Sequence, residues 1–314
     1  MRNVFLAVMM ALSGHAFSEV STLEGTITGR ADETGMFIID RFDFGVADTF
    51  EIDPKAGLFQ FEMELMYGTV GTIHYKDKTA KVRCFPGKTS EVEFDGDFLE
   101  STLVFKGEVA GINNFFSSFN EDEKSRTYLT WLAGQAENAT NVDGFEMSLF
   151  KERSAFIKKM KAMELDEFSQ TFIKQHFGYY YYLGLLKYSS IKSEKNGIPK
   201  ATEIPTISLE SLTDEVMNRE ESLSSQYFRE LLMEYVRYMT LRGFEMMKFG
   251  NEASAVTARS NFAREHLTGK CLQFYLAQAM QLNAEKVEPS ELNHSLSQLS
   301  KEKPSVDLLK QISS

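Results

Sequence analysis

The chain has 314 residues, of which 43% are hydrophobic and 25% charged, a balance that excludes a disordered tail and a collagen-like fibre. Six Pro and two Cys exclude a Pro-rich linker and a disulfide scaffold, and at roughly 100 to 200 residues per domain the length favours two domains over one. A formal charge of −11 makes nucleic acid an unfavourable partner and weakens any attraction to anionic lipid, because an acidic surface repels phosphate.

The first eighteen residues carry Arg2 as their only charge, then the apolar stretch Val4 to Leu12, then a small-residue ending with Ala16 and Ser18. That pattern is a secretory signal, with cleavage expected after Ser18. The apolar run is shorter than the ~20 residues that span a bilayer, and no later segment is longer, so no transmembrane segment is expected. The mature protein is expected in the periplasm or outside the cell. No Cys lies near the cleavage point, which argues against a lipid-modified N-terminus. Asn138-Ala139-Thr140 and Asn293-His294-Ser295 match the glycosylation acceptor pattern, which has meaning only in a eukaryotic secretory pathway.

From Thr22 to about Lys106 apolar residues alternate in short runs: Leu23 with Ile27, Phe59 with Phe61 and Met63, Ile73 with Tyr75, Val92 with Phe94. Period two predicts strands, and the turn residues at Asp32 to Gly35, Asp53 to Gly57, Pro86-Gly87 and Asp95-Gly96 separate them. Six to eight antiparallel strands, each burying one face, predict a small β-sandwich over residues 19–112.

After Asn113 the period becomes helical, predicting an all-helical domain over 113–314 and an α+β chain. Asn120 with Glu123 offers a cap for a helix over about 121–137. Phe145, Leu149, Phe156, Met160 and Met163 mark another, and Asp166 caps the next, which carries Phe168, Phe172 and Ile173. Phe228, Leu231, Leu232, Tyr235, Val236 and Met239 form one face of a helix running from Ser225 past Gly243. Leu272, Tyr275, Leu276 and Ala279 make a stripe after Gly269, and Pro289 suits the first turn of a helix with Leu292, Leu296 and Leu299.

Chemistry is sparse. A thiol oxidoreductase needs paired cysteines, and there is no C-x-x-C: Cys84 shares a strand face with Val82, and Cys271 opens a helix. Three readings stand: two buried free thiols, a disulfide between the domains, or Cys271 reactive at a helix N-terminus. The histidines of the expected mature chain, His74, His176, His266 and His294, form no pair at metal-ligand spacing, and neither a Ser elbow nor a phosphate-binding loop occurs. No cofactor is implied. Tyr179, Tyr180, Tyr181 and Tyr182 are consecutive, so on a helix their rings point in every direction, giving either interlayer packing or a recognition patch.

Leu23-Glu24-Gly25-Thr26-Ile27-Thr28-Gly29, Gly57-Leu58-Phe59-Gln60-Phe61, Phe85-Pro86-Gly87-Lys88 before Val92-Glu93-Phe94, and Phe105-Lys106-Gly107 ahead of Asn113-Asn114-Phe115-Phe116 together resemble the N-terminal region of TlpA-like thiol-disulfide oxidoreductases of Bacteroidetes. Segments 172–186 and 267–282 look like that family's helical region. The resemblance implies a small β-domain and helices preceding a thioredoxin domain that carries W-C-x-x-C. This sequence ends at Ser314, about where that domain would begin, and Trp131 has no Cys near it, so no catalytic residue carries over. The expectation is a non-catalytic interaction module binding a protein or peptide partner, with a separate thioredoxin-fold protein among the candidates. The rival expectation is a cell-envelope hydrolase with a carboxylate site between the domains.

Overall fold

Residue alternation builds the N-terminal half. In β1 (Glu19–Thr28) Ser21, Leu23, Gly25 and Ile27 are buried and the residues between them face solvent, as the two-residue side-chain period of a strand requires. The pattern continues through β2 (Gly35–Arg41), β3 (Val46–Ile52), β4 (Leu58–Leu65), β5 (Thr69–Tyr75), β6 (Lys78–Cys84), β7 (Thr89–Asp95) and β8 (Val104–Lys106). The computed structural model describes residues 19–29, 33–41, 46–53, 57–118, 128–195, 197, 200–283, 297, 299, 301 and 302. The expected signal segment, the Asn120 cap, the Asn293 acceptor pattern and the start of the Pro289 helix lie outside the described residues.

The strands form two four-stranded sheets, ordered β4-β1-β7-β8 and β3-β2-β5-β6. Leu23, Ile27, Phe59, Met63, Val92 and Phe94 of the first share one core with Phe37, Ile39, Ile52, Ile73, Tyr75, Val82 and Cys84 of the second. The sheets therefore pack as a sandwich. Phe59 lies over Gly25, its partner in the β1–β4 register, so closely that a Cβ on Gly25 would sit 1.8 Å from the ring.

The sandwich is mixed rather than antiparallel throughout, because β1 and β7 pair in parallel. Alternation reports which face of a strand is buried and carries no information on strand direction. A parallel neighbour needs a long crossover, and here the chain lays down five intervening strands before β7 returns beside β1.

Short helices α1 (Leu99–Thr102) and α2 (Ala110–Ser117) flank β8. They are followed by α3 (Tyr128–Asn138), α4 (Val142–Lys161), α5 (Glu167–Lys195), α6 (Thr206–Leu209), α7 (Asp214–Met217), a 3-10 turn (Glu220–Ser224), α8 (Gln226–Gly243), α9 (Glu252–His266) and α10 (Gly269–Asn283). Side-chain caps start several of them. The Asp166 carboxylate accepts from the Ser169 N–H at 2.9 Å ahead of α5, the Ser225 hydroxyl from Phe228 N–H ahead of α8, and Asn251 from Ser254 N–H ahead of α9.

Two compact units result, and their membership differs from a division at residue 112. The strands group with α2 and with residues 157–175, while residues 128–156 and 176–283 form the helical unit. In the strand unit the reason is aromatic packing: Phe85, in the turn after β6, meets Phe168 and Phe172 edge-on at 5.5 and 4.9 Å, and Val109 and Ile112 of the α2 region join them. In the helical unit α4 and α5 run as an antiparallel pair. Phe145 stacks on Tyr188, Leu149 fills the space over Gly184, Glu152 meets Tyr180, and Phe156 stacks on Phe177 at 4.0 Å. No helix among the described residues is long and apolar enough to cross a membrane.

Candidate functional site

The two cysteines are free and fully buried. Cys84 lies on the inner face of β6, where burial pushes its thiol up to about 12, and a hydrogen bond with Ser90 only partly opposes this. Cys271 stands in the first turn of α10, the position where a helix N-terminus ordinarily favours a thiolate. It is nevertheless pushed up to about 12, by burial first and then by the charges of Glu220 and Glu221. Glu220 already occupies the N-terminus of α10: its carboxylate accepts from the Lys270 N–H at 3.0 Å and lies against Gly269. Cys271 therefore lacks the activation that an unoccupied helix N-terminus would give it. At neutral pH burial keeps this thiol protonated.

The tyrosine run lies mostly inside the helical unit. Tyr179, Tyr180 and Tyr181 are buried, and only Tyr182 is part-exposed. Consecutive residues turn 100° around a helix, and α5 is covered on several sides. Tyr179 meets the Ser222 hydroxyl at 2.6 Å, Tyr180 donates to Glu152 at 2.6 Å, and Tyr181 donates to Glu146, which also accepts from Ser208. Burial, reinforced by the Glu146 carboxylate, raises the Tyr181 phenol above its ordinary value. These rings pack the helical unit and anchor buried hydroxyls.

Among the described residues no group of three or more His, Cys, Asp and Glu could hold a metal ion. His266 pairs with Asp214 at 3.2 Å on the surface, and His74 is a half-buried strand residue. His176 contacts the Ser225 hydroxyl at 2.8 Å, a Ser–His contact that sequence reading missed because 49 residues separate the two. Ser225 is buried and serves as the cap of α8, so it presents no nucleophile to a substrate.

An open concavity lies on the outer face of the β4-β1-β7-β8 sheet. It is a groove of about 420 Å³ lined by Glu24, Gly25, Thr26, Leu58, Phe59, Gln60, Glu91, Val92, Glu93 and Lys106. Strand register explains its chemistry. One row across the four strands reads Leu58, Thr26, Glu93, Val104, and the next reads Gln60, Glu24, Glu91, Lys106. Short Thr26 forms the floor between longer neighbours. Leu58 and Val104, at the two ends of the first row, are 66% and 47% exposed.

In the second row Glu24 and Glu91 stand side by side on parallel strands. Like charges placed directly opposite destabilise a sheet. Lys106 bonds Glu93, and that hydrogen bond, then the charges of Glu93 and Glu91, raises the Lys106 ammonium above its usual value and holds its proton. No cation among the described residues forms an ion pair with Glu24 or Glu91. The groove thus presents Glu24, Glu91 and Glu93 with Lys106 among them, and the exposed Leu58 side chain on the β4 side. Sequence alternation shows that these side chains face outward, but nothing in it shows that they form two rows. No protein-family model, curated protein or solved structure matches this chain.

Proposed function

We propose that this protein is an exported, non-catalytic interaction module that binds a protein or peptide partner. The observation that carries the reading is a division of labour: both thiols are enclosed and held protonated, while an open concavity presents carboxylates beside the exposed Leu58 side chain. Such a surface suits recognition, because charge and apolar area in one groove can select a polypeptide. A separate thioredoxin-fold protein is a partner in keeping with the resemblance of residues 22–283 to the accessory region of TlpA-like oxidoreductases. Export follows from the N-terminal signal pattern.

The test is an assay of the purified protein, alone, for reduction and isomerisation of a disulfide-bonded substrate. No turnover is expected, and Cys271→Ser should behave as the parent does. Turnover that disappears in Cys271→Ser would overturn the reading. N-terminal sequencing of the exported protein should begin at Glu19; an intact Met1 on the cytoplasmic side would remove the export part.

A further inference from the structure

We infer that the partner polypeptide binds by adding a strand to the free edge of β4. The inference rests on the interaction-module reading and names its surface and binding mode.

Register fixes what that edge offers. The Ile27 N–H donates to the Gly57 carbonyl at 2.9 Å, and the β1–β4 register places these two residues opposite each other. Opposed residues of an antiparallel pair exchange hydrogen bonds at every second position, so Phe59, Phe61, Met63 and Leu65 turn their backbone groups toward β1. Leu58, Gln60 and Glu62 turn theirs away from it. Thr22, opposite Glu62, agrees: its N–H donates to the Lys88 carbonyl on the β7 side at 3.2 Å. β4 ends its sheet, and among the described residues only β1 pairs with it. Its eight residues include neither Pro nor Lys, two of the devices that ordinarily close an edge.

Two other edges of the sandwich are closed. β8 is three residues long. At β6 the Asn113 side chain takes the place of a strand: its Oδ1 accepts from the Arg83 N–H at 2.7 Å and its Nδ2 donates to the Arg83 carbonyl at 3.0 Å. The remaining edge, β3, lies near β4 on the open side of the sandwich, where Phe50 and Phe61 meet at 5.1 Å and both are only partly buried.

The side chains along β4 define the strand that fits. An added strand alternates as its neighbour does. Its inward side chains would lie beside Phe61 and Phe50, which suits aliphatic residues, and its outward ones beside Gln60 and Glu62. Glu62 is exposed and has no ion pair among the described residues, so Lys or Arg opposite it makes a favourable cross-strand pair. In this mode main-chain bonds supply affinity and the alternating side chains select the partner.

The probe is a fluorescein-labelled peptide of alternating Val and Lys, followed by anisotropy against the full chain. Two further versions are N-methylated on the Val or on the Lys residues, which removes the donors of one peptide edge and leaves the charge unchanged. One version should lose about tenfold or more in affinity and the other much less. Gln60→Pro should also weaken the unmethylated peptide about tenfold; the Gln60 N–H bonds nothing in β1, and Pro is tolerated on the open side of an edge strand, so the melting temperature should stay near the parent's. Hydrogen exchange of the Leu58, Gln60 and Glu62 amides should slow when peptide is added.

Absence of saturable binding, equal loss in both methylated versions, or unchanged affinity in Gln60→Pro would overturn the inference, as would protection centred on β3. The methylated peptides need no change in the protein, so they decide the matter even where Gln60→Pro disturbs β4. None of these outcomes removes the interaction-module reading, which fails in the disulfide assay.

Discussion

Two glycines in α5 should respond in opposite directions to the same substitution. Both Gly178 and Gly184 lie inside the helix, where replacing Gly by Ala ordinarily stabilises by ~1 kcal/mol through helix propensity. A Cβ on Gly178 would meet nothing within 4 Å, so Gly178→Ala should gain about 0.5 to 1 kcal/mol. At Gly184 the added carbon would lie 2.7 and 2.8 Å from the two Cδ atoms of Leu149. Carbon pairs pack at ~3.5 to 4.0 Å, so each contact is about 1 Å too short.

Leu149 is fully buried and has no solvent to retreat into. Overpacking of that kind costs ~1 to 3 kcal/mol, which outweighs the propensity gain. Gly184→Ala should therefore lose about 1 kcal/mol, leaving the two variants about 2 kcal/mol apart. The assay is denaturant unfolding of the purified chain followed by far-ultraviolet circular dichroism. In a Leu149→Ala background, already weakened by ~2 to 5 kcal/mol, the clash disappears and Gly184→Ala should become neutral or stabilising. Equal midpoints for Gly178→Ala and Gly184→Ala, or strict additivity of Leu149→Ala with Gly184→Ala, would refute the α4–α5 packing argument.

Two further outcomes follow. Neither Cys84 nor Cys271 should react with iodoacetamide in the folded protein at mildly alkaline pH, and both should react once denaturant is added; prompt labelling of Cys271 while the far-ultraviolet spectrum is native would contradict its enclosure. Burial alone would raise the Asp166 carboxyl, but hydrogen bonds from the Ser169 hydroxyl and from backbone N–H groups at the start of α5 outweigh it and hold the group below its ordinary value. Its charge therefore stabilises the fold above about pH 4, and this contribution is lost as pH falls through the lowered folded value. Asp166→Asn keeps a capping side chain, so its denaturation midpoint should fall less steeply on acidification than the parent's; parallel acid limbs would count against the assignment.

What the sequence disclosed divides by range. The cap at Asp166 was readable because a capping side chain bonds a backbone group three residues away. Buried positions in the strands were readable for the same reason, since Leu23, Ile27, Ile73 and Phe94 obey a local period. Relations between distant segments were not. The parallel pairing of β1 with β7, and hence the adjacency of Glu24 and Glu91, depends on register across more than sixty residues. Cys271 looked eligible for activation because its own helix favours an anion; Glu220, fifty residues earlier in the chain, had already taken the place. The tyrosines announced four ring directions, and only tertiary packing decided that three of those directions are occupied.

If the chain is exported as proposed, the enclosure of its thiols turns the order of folding into a matter of chemical survival. An unpaired cysteine that enters an oxidising compartment is exposed to cross-linking with any neighbour until the fold closes over it. Chains that emerge N-terminus first tend to complete early domains first, so Cys84 gains shelter once the sandwich has formed. Cys271 belongs to the last long helix described and must wait for its unit to close. Slow closure of the helical unit would therefore appear first as dimers linked through Cys271, before any change in equilibrium stability could be measured.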